Sequence, residues 1–184
     1  MSDSGLALFD TAIGPCGIAW GEHGVLSLQL PEVDAAHTRR RLAHRFPDLH
    51  DAAPPAPIAQ AIADIQRLLQ GERADLRTIA LDMAGVPSFD QRVYDATRQI
   101  LPGQTLSYGE LAARLGEPGA ARSVGQALGR NPFAIIVPCH RVLAAGGGYG
   151  GFSAPGGVTT KLRLLAIEGA RRGDGPDLFA DRDP

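Results

Sequence analysis

A cysteine followed directly by a histidine and an arginine is the part of this sequence best suited to covalent chemistry. Cys139, His140 and Arg141 come after the apolar residues 135–137 and Pro138. Proline fixes its own φ angle and favours an extended residue before it, so we expect the thiol at a defined corner. His140 is a candidate base for that thiol and Arg141 a candidate positive charge. The alternative is a buried, inert cysteine beside a structural histidine.

Composition and length indicate a soluble protein with one large domain or two small ones. The chain has 184 residues, of which 44% are hydrophobic and 21% charged. Its two cysteines, Cys16 and Cys139, are far apart, which argues for a reducing compartment and against a disulfide framework. Cys16 and His23 are too few candidate ligands to predict a metal site. Without an apolar run of membrane-spanning length or a signal-peptide pattern, a cytoplasmic location is expected.

The charge is distributed unevenly along the chain. Residues 1–84 carry seven Arg and 11 acidic residues, whereas residues 85–173 carry nine Arg and Lys161 against five acidic residues. The remaining residues, 174–184, carry one Arg and four Asp. Arginine binds phosphate in a bidentate manner and stacks on bases, so the basic half is compatible with a nucleic-acid partner. Many solvated surfaces carry a similar charge.

Residues 1–84 predict a small α/β domain. Turn residues at 14–15 and 21–24 separate apolar runs typical of strands in a β-meander, and two later segments have helical periodicity. We predict strands at 6–12, 17–20 and 25–30, helices at 33–45 and 58–70, and a further short strand at 76–81. No catalytic group of residues is evident in this half.

Residues 85–173 predict a mainly helical second domain, followed by an acidic tail, 174–184, that is expected to be disordered. Ser88 is a candidate N-cap, and Ser107 with Glu110 forms a capping-box pattern. The predicted helices are 88–101, 107–115, 120–129 and 159–168, with Gly169 after the last. The short glycine-containing turn between the second and third helices is typical of a helix-turn-helix.

The helix predicted at 120–129 has unusually small side chains. Ala121, Ser123 and Gly125 offer little for reading bases in a major groove. They would allow a close approach to a DNA minor groove, with Arg122 wedged into the base stack. Close packing against another helix of the same protein explains them equally well.

Five segments of the second domain resemble the O6-alkylguanine-DNA alkyltransferases, also called methylated-DNA–protein-cysteine methyltransferases. The five segments lie within one run that covers about half of the chain. In the context of that run, the Pro-Cys-His-Arg-Val motif is highly specific for the family. The segments are Leu106–Ala112, Ala120–Gly125, Arg130–Pro132, Ile136–Val142 and Leu164–Gly169. The resemblance implies an α/β N-terminal domain with a ribonuclease-H-like layout. It implies a winged-helix-like C-terminal domain that contains the helix-turn-helix.

The resemblance also implies a direct-reversal repair reaction. Cys139 would take the alkyl group from guanine O6 and also from O4-alkylthymine. His140 would act on the thiol through a water molecule, Glu168 would orient His140, and Asn131 would hold the turn. The transfer is irreversible, occurs once per protein molecule and requires no cofactor.

For the partner, the resemblance implies a monomer that binds double-stranded DNA through the minor groove and flips the damaged base. Arg122 would replace the flipped nucleotide, and Tyr108 would press on its phosphate. Three residues would line the groove contact: Ala121, Ser123 and Gly125. Four would form the base pocket: Leu128, Val142, Phe152 and Ser153.

Two other functions remain open from the residues alone. A non-enzymatic protein could recognise alkylguanine and signal to other repair systems, but such relatives characteristically lack the reactive cysteine. A cysteine hydrolase with a Cys-His-Glu arrangement would turn over without a lasting adduct, and it leaves the helix-turn-helix unexplained.

Phe152 departs from the family pattern and yields a first prediction. The family often has a tyrosine there, whereas here Phe152 precedes Ser153 and an apparent insertion, Ala154-Pro155. Phenylalanine can stack on a base but cannot donate a hydrogen bond to it; Ser153 or Tyr149 would have to do so. We expect Phe152→Tyr to speed single-turnover transfer or to change the preference between methyl and larger adducts. Identical rates for both proteins on both adducts would contradict this role.

Overall fold

The computed structural model describes residues 4–170, which form two compact units. The first extends to Gly85 and includes Pro132–Ile136; the second consists of Val86–Asn131 and the chain from Val137 onward. The acidic tail predicted at 174–184 lies outside the described residues. Within residues 4–170, no helix has the length and apolar character needed to cross a membrane. The fold combines helices with small sheets.

The first unit contains the predicted meander as a three-stranded antiparallel sheet. Strands β1 (Gly5–Thr11), β2 (Gly14–Gly21) and β3 (Gly24–Gln29) pair in the order β1-β2-β3. Gly24 opens β3 with a φ of 128°, and a Cβ there would lie 2.5 Å from the Ala80 carbonyl oxygen. Only glycine fits this turn without displacing the backbone beside it.

Two helices complete the first unit close to their predicted positions. Helix α1 is Ala35–Arg45, and Asp34 caps it by accepting a 2.8 Å hydrogen bond from the His37 amide. Helix α2 is Ala56–Leu69. It begins two residues earlier than predicted because proline is well tolerated in the first turn. Its buried residues recur at helical spacing and include Ile58, Ala61, Ile65, Leu68 and Leu69.

The strand predicted at 76–81 is wrong. Leu76 and Ile79 are buried, but the Ile79 amide donates to the Leu76 carbonyl in a turn. Only Leu81 makes a bridge, to Val25 in β3. Apolar residues at this spacing therefore anchor an irregular segment and do not extend the sheet.

The segment Pro132–Ile136 belongs to the first unit, although the sequence analysis assigned it to the second domain. Both the Ser27 hydroxyl and the Leu28 amide donate to the Pro132 carbonyl, at 3.0 and 2.9 Å. Leu28 also pairs with Phe133 as an isolated bridge, and the Phe133 side chain is fully buried. These bonds span about a hundred residues of sequence, so no local pattern could predict them.

The second unit is mainly helical. Its helices are α3 (Ser88–Arg98), α4 (Tyr108–Arg114), α5 (Ala121–Gly129) and α6 (Gly157–Ile167). Two-residue strands β4 (Leu106–Ser107) and β5 (Val142–Leu143) pair in parallel, and 3₁₀ turns cover Cys139–Arg141 and Ala145–Gly147. Helix α6 begins two residues before its predicted start, and Gly169, with a φ of 61°, follows its C-cap as predicted.

Helix α5 is held against α3 by polar contacts at its C-terminal end. The Tyr94 hydroxyl donates a 2.9 Å hydrogen bond to the Ala127 carbonyl, and both groups are buried. Arg130 forms two 2.9 Å hydrogen bonds with the buried carboxylate of Asp90. Together they fix the orientation of α5 within the second unit.

The N-terminus of α4 yields a second prediction. Ser107 and Glu110 form a complete capping box, whereas the predicted N-cap Ser88 is the first residue of α3 and makes no capping bond. We expect Ser107→Ala to lower the free energy of unfolding by about 1 kcal/mol. Ser88→Ala is the matched control and should cost markedly less. Equal losses in urea denaturation would contradict this account.

Candidate active site

The turn that carries the cysteine is fixed on both sides. Asn131 donates a 2.9 Å hydrogen bond from Nδ2 to the Val137 carbonyl. Pro138 then leads into the 3₁₀ turn that begins at Cys139. Upstream, Ile135 has a φ of 71°, a strained value for a β-branched residue. The thiol therefore sits at a rigid corner, as the proline predicted.

The side chains of Glu168, His140 and Arg141 form a buried cluster behind the cysteine. Glu168 Oε1 lies 2.8 Å from His140 Nε2 and 2.7 Å from Arg141 Nη2, and Arg141 Nε donates to Oε2 at 2.9 Å. The side chains of His140 and Glu168 are 1% and 3% exposed. Burial alone would raise the pKa of Glu168, but the charge and hydrogen bond of His140, together with Arg141, lower it to about 2. Glu168 is thus ionised.

The second ring nitrogen of His140 is available for chemistry. Nε2 is bound to an ionised carboxylate and therefore carries a proton. Nδ1 is buried and has no hydrogen-bond partner among residues 4–170. Nδ1 is thus the ring nitrogen left to act on a neighbouring group.

Lys161 is a site residue that the sequence analysis missed. Its side chain is fully buried in α6, Nζ donates to the Val142 carbonyl at 2.6 Å, and Nζ lies 5.8 Å from the Tyr108 ring centroid. Burial lowers its pKa to about 8, against the opposing effect of Cys139. Composition could have drawn attention to Lys161, because it is the only lysine among the 18 Lys and Arg residues of the sequence.

Opposing effects act on the pKa of the Cys139 thiol. Burial raises its pKa, while a hydrogen bond from Asn131, the charge of Lys161 and two backbone amides act in the opposite direction. Arg141, the positive charge proposed from sequence, binds Glu168 and the Ile100 carbonyl. The cationic side chain that acts on the sulfur is Lys161.

A cavity of about 730 Å³ opens beside the cysteine. Most predicted DNA and pocket residues line it, together with small residues that were not predicted, such as Ala144, Ala145 and Gly151. The predicted lining residues found there are Tyr108, Ala121, Arg122, Gly125, Leu128, Phe152 and Ser153. Val142 is buried and does not line it, and Ser123 is exposed elsewhere on α5.

Tyr108 is closely bounded by two glycines in this cavity. A Cβ at Gly125 would lie 3.7 Å from its ring, and one at Gly150, where φ is 72°, would lie 2.8 Å from its hydroxyl. Burial, and secondarily the charge of Cys139, raises the pKa of Tyr108, so the phenol stays protonated. The glycines are therefore required by the close approach of their backbone to this ring.

The outward side of α5 carries the predicted arginine. Arg122 is exposed and has no partner within residues 4–170. The small residues Ala121 and Gly125 are half-buried at the cavity, while the side packed inward consists of Val124, Ala127 and Leu128.

Of the two hydroxyl donors considered for the Phe152 region, only Ser153 lines the cavity. Its hydroxyl donates to the Gly129 carbonyl at 3.1 Å. Tyr149 packs instead against Leu143, Leu165 and Ala170. Within residues 4–170, no group of three or more His, Cys, Asp or Glu could hold a metal ion.

Comparisons with known proteins agree with this geometry. A family described as 6-O-methylguanine DNA methyltransferase, DNA binding domain, matches residues 88–170. A methylated-DNA–protein-cysteine methyltransferase of Mycobacterium leprae is 41% identical over 162 residues, covering 86% of this chain and 88% of the relative. One from Methanothermobacter thermautotrophicus is 37% identical over 153 residues, covering 83% and 78%. The crystal structure of Mycobacterium tuberculosis OGT in complex with DNA has a TM-score of 0.70 and 36% identity, covering 89% and 91%.

A cysteine at a cavity, with a buried histidine and carboxylate behind it, lies within a region that matches a methyltransferase DNA-binding domain, and together they define a DNA-binding methyltransferase. The similarity extends over both units and well beyond the motif around the cysteine. The chain belongs to the methylated-DNA–protein-cysteine methyltransferase family.

The buried Glu168 yields a prediction about acid stability. Its folded-state pKa of about 2 lies below the ordinary value of 4.5, so it stabilises the fold above that value. This contribution is lost as the pH falls towards 2, up to about 3 kcal/mol in total. Urea denaturation between about pH 5 and pH 3 should therefore show a smaller loss of stability for Glu168→Gln than for the unmodified protein.

Glu117→Gln is the matched control for this measurement, since Glu117 is an exposed carboxylate paired with Arg92. Its stability should fall with pH as steeply as that of the unmodified protein. An equally steep fall in Glu168→Gln would mean that Glu168 does not carry the acid sensitivity.

Proposed function

We propose that this protein repairs O6-alkylguanine in DNA by transferring the alkyl group to Cys139, once per protein molecule. The observation that carries the proposal is the position of Cys139 at a cavity beside α5, with His140 and Glu168 behind it. The names of its relatives and the solved complex of a relative with DNA support it. O4-alkylthymine is a second substrate of the same chemistry.

Activation of the thiol begins with the base. A bridging water gives a proton to His140 Nδ1 and takes the proton of the Cys139 thiol, leaving a thiolate. Glu168, bound to Nε2, stabilises the imidazolium that forms. Asn131 and Lys161 stabilise the negative sulfur. A soft thiolate suits displacement at an alkyl carbon better than a hydroxyl group would.

The displacement itself forms one bond and breaks one. The sulfur of Cys139 bonds to the alkyl carbon while the bond from that carbon to guanine O6 breaks, and its electron pair passes to the base. Ser153 lines the cavity, and rotation of its hydroxyl away from the Gly129 carbonyl lets it donate to the base in place of the absent tyrosine hydroxyl. The proton lost by the thiol finally returns to guanine, so protons balance and a neutral thioether remains.

Access to the reacting atom requires that the nucleotide leave the stack. Helix α5 enters the minor groove with Ala121, Ser123 and Gly125 against the DNA. Arg122, exposed and long, fills the space of the flipped nucleotide. Tyr108 presses on its phosphate, and Leu128 and Phe152 hold the base in the cavity.

The finer description of the fold is part of the same proposal. The three-stranded meander with its helices corresponds to part of a ribonuclease-H-like layout, and the second unit to a winged-helix-like domain. We infer that the protein acts as a monomer, since all proposed site residues belong to one unit of one chain.

The test is the intact mass of the protein after incubation with a duplex that contains O6-methylguanine. We expect one added methyl group per molecule, mapped to Cys139 by peptide analysis. Cys139→Ser should bind the duplex without gaining mass. The matched control is Cys16→Ser, because Cys16 is buried with its pKa raised to about 12 by burial. This variant should be methylated as fully as the unmodified protein.

Other outcomes would overturn the proposal. An unmodified protein that binds the damaged duplex tightly would indicate a lesion-recognition protein. Release of free alcohol with repeated turnover would indicate a hydrolase.

A further inference from the structure

The guanidinium of Arg141 joins three separate parts of the second unit. Nε and Nη2 bind the two carboxylate oxygens of Glu168 at 2.9 and 2.7 Å, and Nη1 donates to the Ile100 carbonyl. Ile100 lies in the turn after α3, Arg141 in the cysteine turn, and Glu168 at the end of α6. Arg141 is only 5% exposed, so these bonds form away from water.

We propose that Arg141 is a positioning residue for alkyl transfer, which holds the Glu168 carboxylate in the orientation that directs His140 towards the thiol. The role rests on the proposed function of Cys139. Arg141 acts only through Glu168 and His140, and it does not line the cavity.

The argument begins with the carboxylate. Glu168 Oε1 accepts from both His140 Nε2 and Arg141 Nη2, so the imidazole and the guanidinium share one oxygen. The planar fork of arginine allows only a narrow range of carboxylate orientations. Because that orientation also sets the direction of the bond to Nε2, Arg141 fixes the imidazole ring and its tautomer.

The other charged and titratable groups near this pair do not replace Arg141. Cys139 precedes His140 in the same turn, and Lys161 on α6 binds the Val142 carbonyl and acts on the thiol. Tyr108 on α4 remains protonated beside the sulfur. Among the described residues, only His140 and Arg141 are bonded to the Glu168 carboxylate.

Two readouts test the proposal, each measured against pH. The first is the single-turnover rate of methyl transfer from an O6-methylguanine duplex. The second is alkylation of Cys139 by iodoacetamide without DNA, followed by peptide mass analysis. For Arg141→Gln, we expect both rates to fall at least about tenfold at every pH, because the imidazole is no longer held towards the thiol. DNA affinity should be unchanged, which separates a loss in the chemical step from a loss of binding.

Arg141→Lys and Arg130→Gln complete the experiment. Lysine keeps the charge without the fork, so Arg141→Lys should lose about as much rate as Arg141→Gln. If Arg141→Gln does not fold, the loss of rate in Arg141→Lys tests the proposal. Arg130 also binds a buried carboxylate, that of Asp90, but has no bond to His140 or Glu168. Arg130→Gln should therefore leave the iodoacetamide rate unchanged.

Two results would overturn the inference. One is an unchanged rate in Arg141→Gln or Arg141→Lys, which would show that the fork does not position His140. The other is an equal loss of the iodoacetamide rate in Arg130→Gln, which would indicate a general structural effect. Failure of the proposed function looks different, because the unmodified protein would then transfer no methyl group from DNA while its iodoacetamide profile still responded to Arg141→Gln.

Discussion

The structure of the second unit depends on one buried carboxylate. Glu168 would be costly to bury as an isolated charge, and its two partners, His140 and Arg141, make that burial favourable. His140 follows Cys139 directly, and Arg141 follows His140. The carboxylate at the end of α6 therefore fixes the turn that carries the nucleophile. A glutamate at a helix C-terminus opposes the helix dipole, and these two bonds explain why it is tolerated there.

The same carboxylate links elements that are distant in sequence. Arg141 extends the network to the Ile100 carbonyl after α3, and α3 in turn holds α5 through Tyr94 and Asp90. Asn131 follows α5 directly and supports the backbone at Val137. The helix proposed to contact DNA and the thiol are therefore connected by a series of short hydrogen bonds, so binding at one defines the position of the other.

Local signals in the sequence were reliable where a bond partner lies within a few residues. The capping box at Ser107 and the three strands of the meander were predicted because turn residues and caps act over short distances. The prediction that Ser88 is an N-cap was wrong, because Pro87 occupies the N-cap position of α3. The assignment of Pro132–Ile136 and the location of Lys161 depend on contacts across the fold. The resemblance named the cysteine, histidine and glutamate, but it did not reveal that Arg141 binds Glu168.

The two cysteines explain why burial alone does not decide reactivity. Burial raises the pKa of both thiols, but at Cys16 only a weak contact with Thr11 opposes it, whereas at Cys139 an amide, a lysine and two backbone groups do. Those donors lower the cost of forming a thiolate in a site that otherwise disfavours it. Once the sulfur is alkylated, the product is a neutral thioether, and the apolar surroundings that opposed the thiolate no longer oppose it. A buried site of this kind therefore favours the neutral product over the thiolate intermediate.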